Sequence, residues 1–134
     1  MKTCAIIPCY NEFKSIGEVV LKTRRHVDYV VVSDDCSNDD TRNIAEASGA
    51  KVVGGWWQGI FRGAGHNTSY GLLMARDCYR DVEIFVTLDG DGQHDPEDIP
   101  KLVAPLAGGV ADVAVGVRQA NGNMPQYRQI GNSI

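Results

Sequence analysis

Ile84-Phe85-Val86-Thr87-Leu88-Asp89-Gly90-Asp91-Gly92-Gln93-His94-Asp95-Pro96 is the stretch from which the rest of the chain is read. Its first five residues, apolar and rich in β-branched and aromatic types, predict a buried strand. Two carboxylates follow at alternate positions with glycine between and after them. In extended backbone, residues i and i+2 point the same way, so Asp89 and Asp91 can face one object. Glycine lets the backbone come close to that object. Converging carboxylates repel unless something positive sits between them. A hard divalent cation, Mg²⁺ or Mn²⁺, answers that need, taking oxygen ligands and sharing them with phosphates. A solvated turn has a similar composition. A calcium loop does not fit, because it would put glycine where His94 stands and glutamate where Pro100 stands.

A length of 134 residues suits one domain, and 43% hydrophobic residues supply a real core. A net charge of −4 provides no basic footprint for nucleic acid. No apolar run has the length of a membrane span, and Met1-Lys2-Thr3 leads straight into a strand. Cys4, Cys9, Cys36 and Cys78 form no CxxC pair and read as reduced packing residues of a cytoplasmic protein.

Apolar patterning predicts strands at 3–7 (closed by Pro8), 29–32, 51–53, 83–88 and 110–117. Helices are predicted at 13–22, 41–47, 64–79 and from Asp95 to about Leu106. Asp39 or Asp40 is available to cap the second helix. Asp95 caps the last, with Pro96 at its first position. Tyr70, Leu72, Leu73 and Met74 predict that the third helix is largely buried. Alternating strands and helices mean an α/β fold, a parallel sheet covered on both faces. Such sheets bind ligands at the carboxyl ends of their strands. The polar clusters fall there: 8–12 after the first strand, 33–37 after the second, 89–93 after the fourth and 116–118 after the fifth. Converging clusters of this kind suit a diphosphate on a cation at Asp89 and Asp91. Gln93 can add an oxygen or orient a water, and Arg118 can pair with phosphate oxygens. Asp35 can accept a nucleobase N–H, while Asn11, Glu12 and the 8–10 backbone hold base and ribose.

Three ordered motifs carry a family resemblance. They are Ala5-Ile6-Ile7-Pro8-Cys9-Tyr10-Asn11-Glu12, then Val31-Val32-Ser33-Asp34-Asp35-Cys36-Ser37-Asn38-Asp39-Asp40-Thr41, then Leu88-Asp89-Gly90-Asp91-Gly92-Gln93-His94-Asp95-Pro96-Glu97-Asp98-Ile99. In order and spacing the chain resembles the family 2 glycosyltransferases, in the branch of dolichyl- or polyprenyl-phosphate mannosyltransferases and glucosyltransferase-like proteins. The resemblance implies a single GT-A-type domain over 1–134, Rossmann-like and mostly parallel. It implies inverting transfer from a UDP- or GDP-linked sugar to an acceptor such as a lipid phosphate, with Mg²⁺ or Mn²⁺ at the Asp-x-Asp motif. Pro8, Tyr10, Glu12 and Asp35 then serve the nucleoside, and Ser33 is a further substrate-binding position. Asp89, Gly90 and Asp91 serve ribose, diphosphate and metal. Gln93 assists the metal, and Arg118 the phosphates.

The chain departs from the family in three respects. Cys36 stands where glycine is usual, and residues 59–67 match the family's Asn-x-Gly-Lys-Gly stretch only loosely. Family catalytic domains also continue past the position of Ile134. The last point implies a donor-binding half that self-associates through an open sheet flank, cytoplasmic or peripheral at a membrane. The competing reading is a nucleotide-sugar and metal-binding module without turnover. No catalytic base can be assigned: Asp95 and His94 are the candidates, but Asp95 is better explained as a helix cap and residues of both kinds are more often structural. A dinucleotide dehydrogenase is excluded by the lack of GxGxxG after the first strand.

Overall fold

The computed structural model describes residues 1–55 and 62–117. Arg118 and positions 59–61 lie outside the described residues. Among these residues four strands alternate with helices: β1 (Lys2–Cys9), α1 (Ile16–Thr23), β2 (Tyr29–Asp34), α2 (Thr41–Ala47), β3 (Lys51–Gly54), α3 (Ala64–Cys78) and β4 (Val82–Thr87). A single turn of 3-10 helix at Pro96–Asp98 then runs into α4 (Ile99–Ala107). All pairings are parallel and the sheet order is β3-β2-β1-β4. The order therefore reverses beside β1, where an open α/β sheet has its ligand crevice.

Each face of the sheet has its own core. On one face Ala5, Ile7, Val30 and Val32 pack against Ile16, Val19 and Val20 of α1 and Ala45 of α2. On the other, Cys4, Ile6, Val31 and Val53 meet Ala75 of α3, flanked by Tyr70, Leu72 and Met74. Residues Cys4 to Ile7 of the central strand are fully buried. Each such isoleucine contributes about 1.5–3 kcal/mol.

Two elements differ from the sequence reading in ways that bear on the site. Helix α3 buries Asn67, Gly71 and Ala75 rather than its large residues, and Leu73 is 52% exposed. Small side chains at i, i+4 and i+8 let this helix lie close on the sheet, and the bulky ones project to either side. Pro8 does not close β1 but lies inside it, paired with Ser33. The Ile6 carbonyl accepts from Leu88 N (3.2 Å), so the main-chain groups of every second residue, Pro8 included, point toward β4. β4 ends at Thr87, and proline's missing N–H leaves no broken rung within the ladder.

The expected fifth strand at 110–117 is not formed. Val110, Val113, Val115 and Val117 are 55–83% exposed. A hollow of about 510 Å³ is lined by Val113–Val115 together with Phe85, Leu102 and Leu106, and the segment makes no ladder with β4. Among the described residues no helix is long and apolar enough to cross a membrane.

Candidate active site

Three loops meet above the carboxyl ends of β1, β2 and β4. The first two are stitched together by side chains. Asn11, in a left-handed conformation (φ 51°), donates its backbone N–H to Ser37 Oγ at 2.8 Å, and its Oδ1 accepts from Asn38 N at 3.0 Å. Glu12 N donates to Thr41 Oγ1, 2.8 Å away. Asp40 occupies the N-cap position of α2 without a side-chain cap bond, and Asp39 Oδ1 accepts from Thr41 N at 2.9 Å instead. Asparagine tolerates the left-handed region; Cys36, at φ 65°, is strained there.

The third loop carries the paired carboxylates. Gly90 is buried, and a Cβ on it would lie 3.2 Å from Cys9 Cβ and 3.3 Å from Ile16 Cδ1. Ser15 Oγ donates to the Gly90 carbonyl at 2.7 Å and pins the loop to α1. Asp91 Oδ1 accepts from Gln93 N at 2.9 Å. His94 Nδ1 accepts from Asp89 N at 3.0 Å, which places the ring proton on Nε2 and makes this histidine a prop of the loop. Asp95 accepts from Glu97 N at 3.0 Å, the cap read from sequence.

A cleft of about 350 Å³ opens between these loops. Pro8, Tyr10 and Glu12 line one side, Asp89, Gly90 and Asp91 another, and Asp35 the third. Seven of the sequence-predicted residues thus share one cavity. Ser33 lies beneath it, fully buried, its hydroxyl donating to Asn67 Oδ1 at 2.6 Å. Gln93 faces neighbouring hollows toward α4 and α1 instead. Asp35, 1% exposed, accepts from Arg62 N (3.1 Å to each oxygen) and Gly63 N (2.9 Å) and so holds the start of α3. Sequence reasoning missed Asn67, which lines the floor beside Ala64.

None of the described residues lining the cleft is lysine or arginine. Glu12 is held above the usual carboxylate range, first by burial and then by the charges of Asp91, Asp39 and Asp89. This negative field, with donors that are all oxygen, fits a hard cation. Among the described residues no group of three or more His, Cys, Asp or Glu side chains converges on one point. A cation at Asp89 and Asp91 would therefore complete its shell with phosphate and water, as Mg²⁺ commonly does.

Residues 4–132 match the family model for glycosyl transferase family 2. The chain is 33% identical to the UDP-N-acetylglucosamine–dolichyl-phosphate N-acetylglucosaminyltransferase of Methanococcus voltae, over 95% of this chain and 57% of that protein. It is 30% identical to the dolichol-phosphate mannosyltransferase of Pyrococcus furiosus, over 97% of this chain and 38% of that one. The chain thus spans about half or less of these relatives. In structure it is similar to glucosyl-3-phosphoglycerate synthase from Mycobacterium tuberculosis in complex with Mn²⁺, UDP and glucosyl-3-phosphoglycerate. That match has a TM-score of 0.61 and 28% identity, covering 78% of this chain and 39% of the other. With its GT-A architecture, the parallel sheet and the cleft at its switch point, the chain belongs to glycosyl transferase family 2.

Proposed function

We propose that this protein binds a UDP- or GDP-linked sugar with Mg²⁺ or Mn²⁺ and transfers the sugar, with inversion, to a polyprenyl phosphate. The observation that carries the reading is the cleft itself, with Asp35 on one wall and Glu12, Asp89 and Asp91 facing one another on the others. In it, Pro8, Tyr10, Glu12 and Asp35 hold the nucleoside, and Asp89, Gly90 and Asp91 hold the ribose and the metal-bound diphosphate. A carboxylate accepts N–H groups, which is the chemistry a base N–H requires of Asp35. A bound divalent metal would supply Lewis-acid neutralisation of the departing diphosphate. Arg118 is assigned to the same phosphates and Gln93 to the edge of the metal shell. An anionic acceptor attacks without a general base, which suits a site where His94 and Asp95 are engaged in holding backbone. The acceptor class follows the dolichyl-phosphate relatives. The finding of Mn²⁺ and UDP in the synthase complex supports the donor and metal.

Titration calorimetry with UDP- and GDP-sugars, with and without Mn²⁺, tests the donor side. One nucleotide should bind in Mn²⁺ and be lost in EDTA; equal affinity in both rejects the metal reading. Incubation with polyprenyl phosphate then separates a transferase, which yields glycolipid, from a module that binds without turnover.

A further inference from the structure

Asn67 is 2% exposed, lines the floor of the cleft and belongs to none of the three motifs. Its Nδ2 donates to the Ser33 carbonyl at 2.7 Å and to the Cys9 carbonyl at 3.4 Å, while Oδ1 accepts from Ser33 Oγ. Only this orientation of the amide gives both carbonyls a donor. The two carbonyls belong to adjacent strands, each next to the residues that form opposite walls of the cleft: Cys9 sits between Pro8 and Tyr10, and Ser33 lies two residues before Asp35. One side chain on α3 therefore bridges β1 and β2 at the last rungs of their ladder, where Asp35 N also donates directly to the Cys9 carbonyl at 2.9 Å.

The reach of that side chain depends on how closely α3 lies on the sheet, and Gly71, one turn further along the same face, sets the approach. A Cβ there would be 2.7 Å from Ile6 Cγ2 and 3.0 Å from Ser33 Cβ, so any side chain pushes the helix outward. Asp35 ties the same helix at its first turn through Arg62 N and Gly63 N. The acidic loop after β4 is anchored separately, by Ser15 and His94.

We propose that Asn67 is a positioning residue for the nucleoside end of the cleft, supporting the Asp35–Cys9 backbone link between the Pro8–Tyr10 and Asp35 walls through the Cys9 and Ser33 carbonyls, with Gly71 setting its reach. The inference rests on the nucleotide-binding reading above. It assigns α3 to the base and ribose and leaves the diphosphate and metal to the loop after β4.

The test measures two ligands on four proteins. The ligands are whichever of UDP and GDP the wild type binds with Mn²⁺, and Mn²⁺-pyrophosphate, which engages only the Asp89–Asp91 side. The proteins are wild type, Asn67→Ala, Gly71→Ala and, as a destabilised control on the same helix, Ala75→Gly, whose site faces the core away from the cleft. Asn67→Ala and Gly71→Ala should weaken the nucleoside diphosphate about tenfold or more and leave pyrophosphate within about twofold. Ala75→Gly should lower the melting temperature and leave both affinities alone. Gly71→Ala keeps every polar group, so it reports on the proposal even where Asn67→Ala does not fold. Affinity that tracks melting temperature across all three variants, or equal losses for both ligands, overturns the assignment. A wild type that binds neither nucleotide overturns the underlying reading as well, whereas a wild type that binds and a Gly71→Ala that binds equally overturn only the role of Asn67.

Discussion

Asp28, just before β2, and Glu12, just after β1, stand at opposite ends of the same sheet and in opposite electrostatic conditions. Asp28 accepts from Thr3 N (2.8 Å), Lys2 Nζ (3.0 Å) and Thr3 Oγ1 (3.1 Å), which hold its carboxyl down at about 2, the Thr3 N–H most of all. Nearby, Tyr29 stacks on Tyr79 and donates to Asp81 at 3.0 Å. Glu12 is pushed the other way, by burial and by Asp91, Asp39 and Asp89. The amino end satisfies its acids internally and contributes to stability. The carboxyl end gathers acids against one another, an arrangement that favours folding less and cation binding more.

Substituting Asp91 should separate the two ends most sharply. Asp91→Asn is expected to weaken Mn²⁺-dependent nucleotide binding by about tenfold or more, on the order of 1.4 kcal/mol or above, while the melting temperature holds or rises. A large loss of stability with unchanged binding would reverse the comparison. Asp28→Asn should do the opposite, lowering the melting temperature at neutral pH without affecting the ligand. Because its folded value lies below the ordinary 3.8, the stability Asp28 contributes is present above that value and is lost as pH falls toward about 2. Melting curves of variant and wild type should therefore converge in acid. Curves that stay apart there would place the Asp28 contribution elsewhere.

Glu12→Gln should give a smaller change of the other sign. Ionised Glu12 costs stability above its raised folded value, and protonation relieves that cost as pH falls through it toward 4.5. The glutamine variant should melt higher than wild type at neutral pH without metal, with the gap closing in acid. A lower melting temperature would show that Glu12 is satisfied at the cleft after all. The smallest effect expected is that of Cys36→Gly. It relieves a left-handed residue at the edge of the site and should stabilise by about 1 kcal/mol or less, after the entropy glycine adds to the unfolded chain. Unchanged or reduced stability in denaturant titration would mean that the strain is compensated locally.

Most of the β1, β2 and β4 side of the site was legible because local rules control it. Apolar runs ended in polar clusters, Asp95 preceded proline at a helix start, and alternate aspartates followed a strand. What stayed hidden depends on distant partners. Tyr70, Leu72 and Met74 looked like the buried stripe of α3, but close packing on a parallel sheet selects Asn67, Gly71 and Ala75. A single asparagine within a helix gives no local sign that it reaches two strand ends. Asp35 read as a base acceptor, and its bonds to Arg62 N and Gly63 N span 27 and 28 residues. The valines of 110–117 have strand propensity, yet propensity without a partner in register forms no strand.

Pro8 has a consequence for the shape of the opening. A parallel ladder left to itself keeps adding rungs while both chains offer donors and acceptors, and the next rung here would run from residue 8 to the Leu88 carbonyl. Proline has no hydrogen to give, so the zip between β1 and β4 stops after Leu88 N meets Ile6 O. The acidic loop is thereby released from strand geometry at the residue where it must turn away. The sheet cannot seal its own crevice.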